Sequence, residues 1–467
     1  MTFDVAVVNA RIVVPKVGIV NTNIAIEDGK IKEFTPDEVQ ADKRIDADGL
    51  YVLPGIIDPH VHYGVYTSIE KAAESESRSA AIGGVTTFMR MFRLYGSYRQ
   101  KLNDHLAASK KSHFIDYSYH ASILMPEHLD EIDYCLNSGI TSFKLYMNLK
   151  GDIGTIYMDM EPYTDKLISG KVNIDDSLIQ STIKKVASYN GIVMVHAEDP
   201  DICAKEMTKA KNEGKSGLQT WSECRPSRSE SESIAKASFL ARQSKCTLYL
   251  PHIGSSDAID SIINERKNGT KIFVETCPHY LTHSTDFQNI TAKVVPPIRS
   301  KEDVKRMWTA LKDGTINCIG TDHVANRLDM KCGNGGLWSA LSGFPGIATM
   351  LPVLLSEGVN KRRISIEKLA ELTSLNTAEI FGMYPKKGTI AIDSDADIIL
   401  VDLAKEQKVT PELLQSYSDY TIYDGMTLKG WPVLTMVRGQ IVMKDGQIVG
   451  KAGYGEYIAR KTKSHGN

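Results

Sequence analysis

Short apolar runs and stretches of helical period alternate along residues 53–384. The apolar runs end at His60/His62, Met91, His120, Lys144, His196, His252, Glu275 and Asp322, and each reads as a buried strand. Between them apolar positions recur with a helical period, as at Ser97 to Lys111, Ser177 to Tyr189, Glu230 to Gln243 and Lys301 to Lys312. The last such stretch is Ile366 to Phe381. Eight strands, each followed by a helix, predict a parallel sheet closed into a (β/α)8 TIM barrel of the α/β class. An open doubly wound sheet is the weaker reading, because no glycine-rich phosphate fingerprint follows the first strand.

The two ends of the chain have a different texture. Phe3 to Asn9 is β-rich, Asn23 to Glu27 alternates, and Asp28-Gly29 has hairpin-turn chemistry. Near the other end, Ile398 to Val401 and Gln440 to Met443 repeat the pattern, with Asp445-Gly446 as a matching turn. Both ends therefore predict parts of one small β-sandwich domain. The expected division is 1–53 for its N-terminal part, 54–384 for the barrel, and 385–467 for its C-terminal part and tail.

Composition narrows the classes further. Of 467 residues, 42% are hydrophobic and 24% charged, enough for a large core and unlike a disordered chain. Lys+Arg is 55 and Asp+Glu is 57, so a net charge of −2 offers no field for nucleic acid or an anionic membrane. No apolar run is long enough to span a bilayer, and the first residues lack the pattern of a signal peptide. Seven scattered cysteines without a Cys-x-x-Cys pair argue against a disulfide framework and point to a reducing cytoplasm.

The chemistry sits at the strand ends. In Asp58-Pro-His60-Val-His62, alternation along a strand turns both imidazoles to one face, where they suit a divalent metal. That pattern alone is weak. His196, His252 and Asp322 each close a further apolar run, and in a TIM barrel these ends converge on one mouth. Any one could be a core histidine or a helix cap; four His and one Asp together predict a metal site. Lys144 ends the fourth run, in Ser142-Phe-Lys144-Leu-Tyr. Burial and nearby cations both disfavour an ammonium there. A neutral amine could combine with carbon dioxide to give a bridging carbamate, and an ion pair with a carboxylate is the plainer alternative.

These residues, with Gly83-Gly-Val-Thr-Thr87, Cys277-Pro-His-Tyr-Leu281, Pro296-Pro-Ile-Arg299 and Pro385-Lys-Lys-Gly-Thr-Ile390, bring a family to mind. The sequence resembles the cyclic amidohydrolases, the group of hydantoinases, dihydropyrimidinases, allantoinases and dihydroorotases, over nearly its whole length. The resemblance implies two divalent metal ions, usually zinc, and a carbamate on Lys144 bridging them. By motif match His60, His62 and Asp322 would bind one metal, and His196 and His252 the other. It further implies hydrolysis of a small cyclic amide to a ureido or carbamoyl acid, with Asp322 as general base and then general acid. A cytoplasmic homo-oligomer, a dimer or a tetramer, is the expected assembly, without nucleic acid or membrane partners.

Departures from the family bear on the ring. Dihydroorotases usually carry an Arg after the His-x-His pair and an Asn-Thr after the second strand; Tyr63-Gly64 and Arg90-Met-Phe-Arg93 stand here. Dihydropyrimidinases and many hydantoinases place an oxyanion-holding Tyr where this chain has Leu149, a Ser at Val295 and an Asn at Ser342. Tyr423-Asp-Gly425 and Gly430-Trp-Pro-Val lean towards hydantoinases and allantoinases. A hydantoinase-like enzyme is therefore expected. Allantoinase or dihydroorotase activity, or a non-catalytic scaffold of the same fold, are the alternatives. Two long loops, Asn148 to Asn173 and Ala325 to Pro345, are expected to choose the substrate or make subunit contacts. Ser342 and Arg93 are the expected substrate contacts, with Arg90 a further anion-gripping candidate; surface ion pairing is an equal alternative for either arginine. Tyr157 is a candidate oxyanion donor.

Overall fold

A computed structural model describes residues 2–462; Met1 and the end of the expected tail, 463–467, lie outside the described residues. The expected barrel strands form one parallel sheet. In order they are Ile56–His62, Val85–Phe92, Asp116–Ser122, Ser142–Tyr146, Ile192–His196, Thr247–Leu250 and Ile272–Thr276, followed by a divided eighth strand. They are almost wholly buried, as expected of strands covered by helices on one side and by barrel side chains on the other. The predicted helices follow closely: Tyr98–Lys110, Asp176–Ala187, Ser227–Ser244 and Lys301–Lys312. The last of these starts with a capping box between Ser300 and Asp303, which satisfies two orphan backbone donors. Ile366 to Phe381 is helical throughout, with a π-turn at Glu371–Leu375.

The barrel closes through its divided strand. Cys318–Ile319 pairs with the seventh strand, and His323–Val324 pairs with the first. The three residues between, Gly320 to Asp322, belong to neither ladder, and Asp322 has a left-handed backbone with φ 49°. The sequence pattern reads as one strand from Ile316 to Asp322, although its apolar run stops at Ile319. The break is held from outside by Asp58. Its Oδ1 accepts the backbone N–H groups of His60 and Thr321, each at 3.1 Å, and its Oδ2 accepts the Thr321 hydroxyl at 2.5 Å.

Both chain ends contribute to a nine-stranded, mainly antiparallel sheet. The join is direct: Tyr51–Pro54 pairs with Ile398–Lys408. Asp28-Gly29 and Asp445-Gly446 form the expected two-residue hairpin turns, all four residues having positive φ. Val7, Ile12, Ile26, Ile398 and Met436 meet in an apolar cluster of their own. At the contact with the barrel, Lys387 is buried among Asp116, Asp395 and Asp397, within 2.7 to 3.0 Å of each. This acidic group has the geometry of a cation site, and the chain's own ammonium serves as the cation.

Candidate active site

The C-terminal ends of the barrel strands surround a cavity of about 150 Å³. His60, His62, Lys144, His196, His252 and Asp322 all line it. Asp322 Oδ1 lies 3.2 Å from His60 Nε2 and 3.1 Å from His62 Nε2. The ring centroids of His60 and His252 are 5.3 Å apart, and those of His196 and His252 are 4.6 Å apart. Lys144 Nζ is 3.4 Å from His252 Nε2. His252, like Asp322, lies just past a strand end and has positive φ, 46°. These two irregular backbones place functional side chains where a continued strand would not.

Carboxylates behind the imidazoles fix which nitrogen faces the cavity. Glu275 Oε1 lies 3.0 Å from His60 Nδ1, while its Oε2 accepts the Tyr249 hydroxyl at 2.7 Å. Glu198 Oε2 lies 2.6 Å from His196 Nε2, leaving Nδ1 of that ring for the cavity. Arg225 grips Glu198 with two N–H donors at 2.9 and 2.7 Å. Burial alone would raise the Glu198 carboxyl, but Arg225 and His196 outweigh it and hold it at about 2. Glu275 lacks such a guanidinium, and burial pushes it up to about 8.

The donor set fits divalent cations. His60 Nε2 is buried without a hydrogen-bond partner and faces Asp322, and burial holds the imidazoles of His60, His62, His196 and His252 in their neutral, ligating form. Burial likewise lowers the Lys144 amine to about 8. Among the described residues no carboxylate lies within ion-pair distance of Lys144, in contrast with the ion-pair alternative.

The cavity wall is completed by Tyr66, Arg93, Tyr146, Leu149, Ile156, Val294, Val295, Val324, Ser342 and Gly343. Arg93, Ser342 and Leu149, singled out from the sequence, are thus among the lining residues. Arg90 does not line the cavity. It is fully buried and paired with Asp159 at 2.9 Å, so its charge is already neutralised. Tyr157 also lies outside the wall and packs on Tyr66, with ring centroids 5.5 Å apart. Tyr66 and Tyr146 were not singled out from the sequence. Tyr146 could have been, because it stands two residues after Lys144 and alternation puts both on one face.

The two long loops have internal structure. The first holds a hairpin, Thr155–Met158 with Ile168–Lys171, and Asp159 at its turn anchors it to Arg90. In the second, Lys331 donates to the carbonyls of Lys293, Leu341 and Gly343, each at 2.7 Å. That buried ammonium ties the segment carrying Ser342 to the strand-seven loop carrying Val294 and Val295.

A closed α/β barrel whose strand ends gather four imidazoles, a carboxylate and a lysine around one cavity defines a metal-dependent hydrolase. The chain belongs to the amidohydrolase family, whose model matches residues 51–442, within its group of hydantoinases and dihydropyrimidinases. It is 31% identical to the L-hydantoinase of Paenarthrobacter aurescens over 478 residues, 98% of each chain. It is 32% identical to the D-hydantoinase of Geobacillus stearothermophilus, covering 96% of this chain and 95% of that one. The solved structure of an L-hydantoinase (dihydropyrimidinase) from Arthrobacter aurescens superposes with a TM-score of 0.89 at 30% identity, covering 98% of this chain and 100% of the other.

Proposed function

We propose that the protein opens hydantoin-like rings, cyclic amides flanked by a second ring nitrogen, by adding water to a ring carbonyl. The observation that supports this most directly is the convergence of His60, His62, Lys144, His196, His252 and Asp322 on one small cavity. In this reading His60, His62 and Asp322 would hold one zinc ion, and His196 and His252 the other. Lys144, whose neutral amine would add to carbon dioxide with loss of one proton, would serve both ions as a carbamate. When bound, the two ions supply Lewis acidity and make water nucleophilic near neutral pH.

The remaining work falls to the chain. Asp322 takes the proton from the attacking water and returns it to the ring nitrogen as the C–N bond breaks. Glu275 and Glu198 hold the imidazoles of His60 and His196 in the ligating tautomer. Arg93 and Ser342 contact the ring or its substituent, and Val294, Val295 and Leu149 exclude water around it.

Seven free cysteines support a cytoplasmic protein, and no helix among the described residues is long and apolar enough to cross a membrane. Tyr163 and Leu167, exposed at the tip of the cavity-side hairpin, support a homo-oligomer, a dimer or tetramer. Light scattering measures the subunit count. Hydrolysis of hydantoin, dihydrouracil, allantoin and dihydroorotate by one metal-loaded preparation tests the function. The expected order puts hydantoin or dihydrouracil first in kcat/KM; dihydroorotate or allantoin ahead by about a hundredfold overturns it.

A further inference from the structure

Two lysines buried beside the cavity, Lys293 and Lys331, have no carboxylate neighbour among the described residues. Backbone carbonyls take the place of a counterion. Lys331 Nζ donates to the carbonyl oxygens of Lys293, Leu341 and Gly343, each at 2.7 Å. Lys293 Nζ donates to those of Leu337 and Ala340, at 2.8 and 2.5 Å. Burial and the nearby Lys293 push the Lys331 amine below its ordinary range. Three acceptors around one nitrogen nevertheless call for three N–H donors, which only the ammonium form has.

Burying two such groups without a carboxylate is costly, and an apolar side chain would fill either space without that cost. What an apolar side chain cannot do is draw carbonyls of two separate segments to one point. The Lys293 carbonyl immediately precedes Val294 and Val295, and Leu341 and Gly343 flank Ser342. Val294, Val295, Ser342 and Gly343 all line the cavity. The Lys293 carbonyl also accepts the Gly343 N–H at 3.0 Å, so the two walls meet at this oxygen. An exposed, glycine-rich stretch, Gly333 to Gly336, separates Lys331 from the second wall, so local chain stiffness does not fix the course of that wall.

Building on the ring-opening reading above, we propose that Lys331 is a positioning residue for the substrate. Acting through the main chain, its ammonium holds the Val294–Val295 wall and the Ser342–Gly343 wall at the separation that fits the ring. It touches no reacting atom, so it acts on binding and not on the bond-breaking step.

The test is Lys331→Met in the metal-loaded enzyme, assayed well below its melting temperature. KM for hydantoin should rise by about 10–100-fold with kcat within about threefold of wild type, the mark of contacts made equally in the ground and transition states. Calorimetry should show affinity for the ring-opened N-carbamoyl acid falling by a similar factor at unchanged metal content. Lys331→Arg keeps the charge but spreads the donors over a planar fork, and gives the same KM-against-kcat reading if the apolar variant does not fold. In Lys331→Ala, which leaves room for a small cation, added ammonium should bring KM back towards wild type; tetramethylammonium, without N–H donors, should not. An unchanged KM in folded Lys331→Met overturns the proposal and marks the lysine as a fold contact, with the ring-opening reading intact. A loss confined to kcat, a loss that follows metal content, or a raised KM that ammonium leaves untouched also overturns it. Wild-type protein that opens none of the four rings removes the reading and the proposal together.

Discussion

Asp58 and Thr321 are joined across the seam where the barrel closes, 263 positions apart in the chain, by two hydrogen bonds to the Asp58 carboxyl group. The same carboxyl also holds the backbone of His60. One buried side chain therefore sets both the backbone of His60 on the first strand and the break that carries Asp322. Asp58→Ala should strand three buried donors and lower stability by several kcal/mol, at about 1–3 kcal/mol for each unsatisfied group. Metal content should fall with it. Denaturant titration and elemental analysis check this, and normal values in both would sink the role assigned to Asp58.

Gly320 is required by its neighbour. A Cβ at this position would lie 2.7 Å from the Glu275 carboxyl carbon. Gly320→Ala should push Glu275 away from His60 and weaken metal retention by about 10–100-fold, the usual effect of losing a partner that orients a ligand. Competition with a coloured chelator reads that affinity directly.

Asp322→Asn should keep the fold and lose turnover by about 10²-fold or more, because an amide cannot accept the proton. The assay compares kcat at matched metal content. A loss below about tenfold would take Asp322 out of proton transfer.

Lys144→Ala should lose the bridging oxygens and with them most activity and metal, and added short carboxylates should restore part of both. Wild-type protein stripped of metal and reloaded in bicarbonate-free buffer should recover slowly, and bicarbonate should speed recovery. Full activity in Lys144→Ala would refute the carbamate.

Glu198 links the site to pH. Its carboxyl lies at about 2 in the fold against about 4.3 unfolded, so the stability it contributes is present above pH ~4.3 and lost as pH falls towards 2. Arg225→Met should leave a buried unpaired carboxylate and lower stability at pH 7 by about 3–5 kcal/mol. The deficit should shrink on acidification, because a protonated Glu198 no longer needs the guanidinium. Denaturant midpoints of both proteins at neutral and acid pH decide it; a deficit independent of pH contradicts the assignment.

The barrel and the residues that converge on its cavity could be read from the chain because burial and period reinforce each other there. Strands covered on both sides are continuous apolar runs, and a histidine that ends one stands out against them. The break at Gly320 to Asp322 could not be read in this way. It depends on Asp58, which is distant in sequence, and Gly320-Thr321 by itself marks only the end of the apolar run. Ion pairing was one of the two readings open for Arg90, but its partner Asp159 could not be named, because it lies in a loop whose hairpin has only four residues per strand. Tyr146 was hidden for the opposite reason: an aromatic in a buried strand looks like core, and only its place in the cavity wall distinguishes it.

The divided eighth strand also sets the order of assembly. His60 and His62 emerge early in the chain, but Asp322 reaches them only after the last strand has docked on the first. Until the ring closes, His60 and His62 stand without the Asp322 carboxylate, so the full set of side chains around the cavity exists only in the closed barrel.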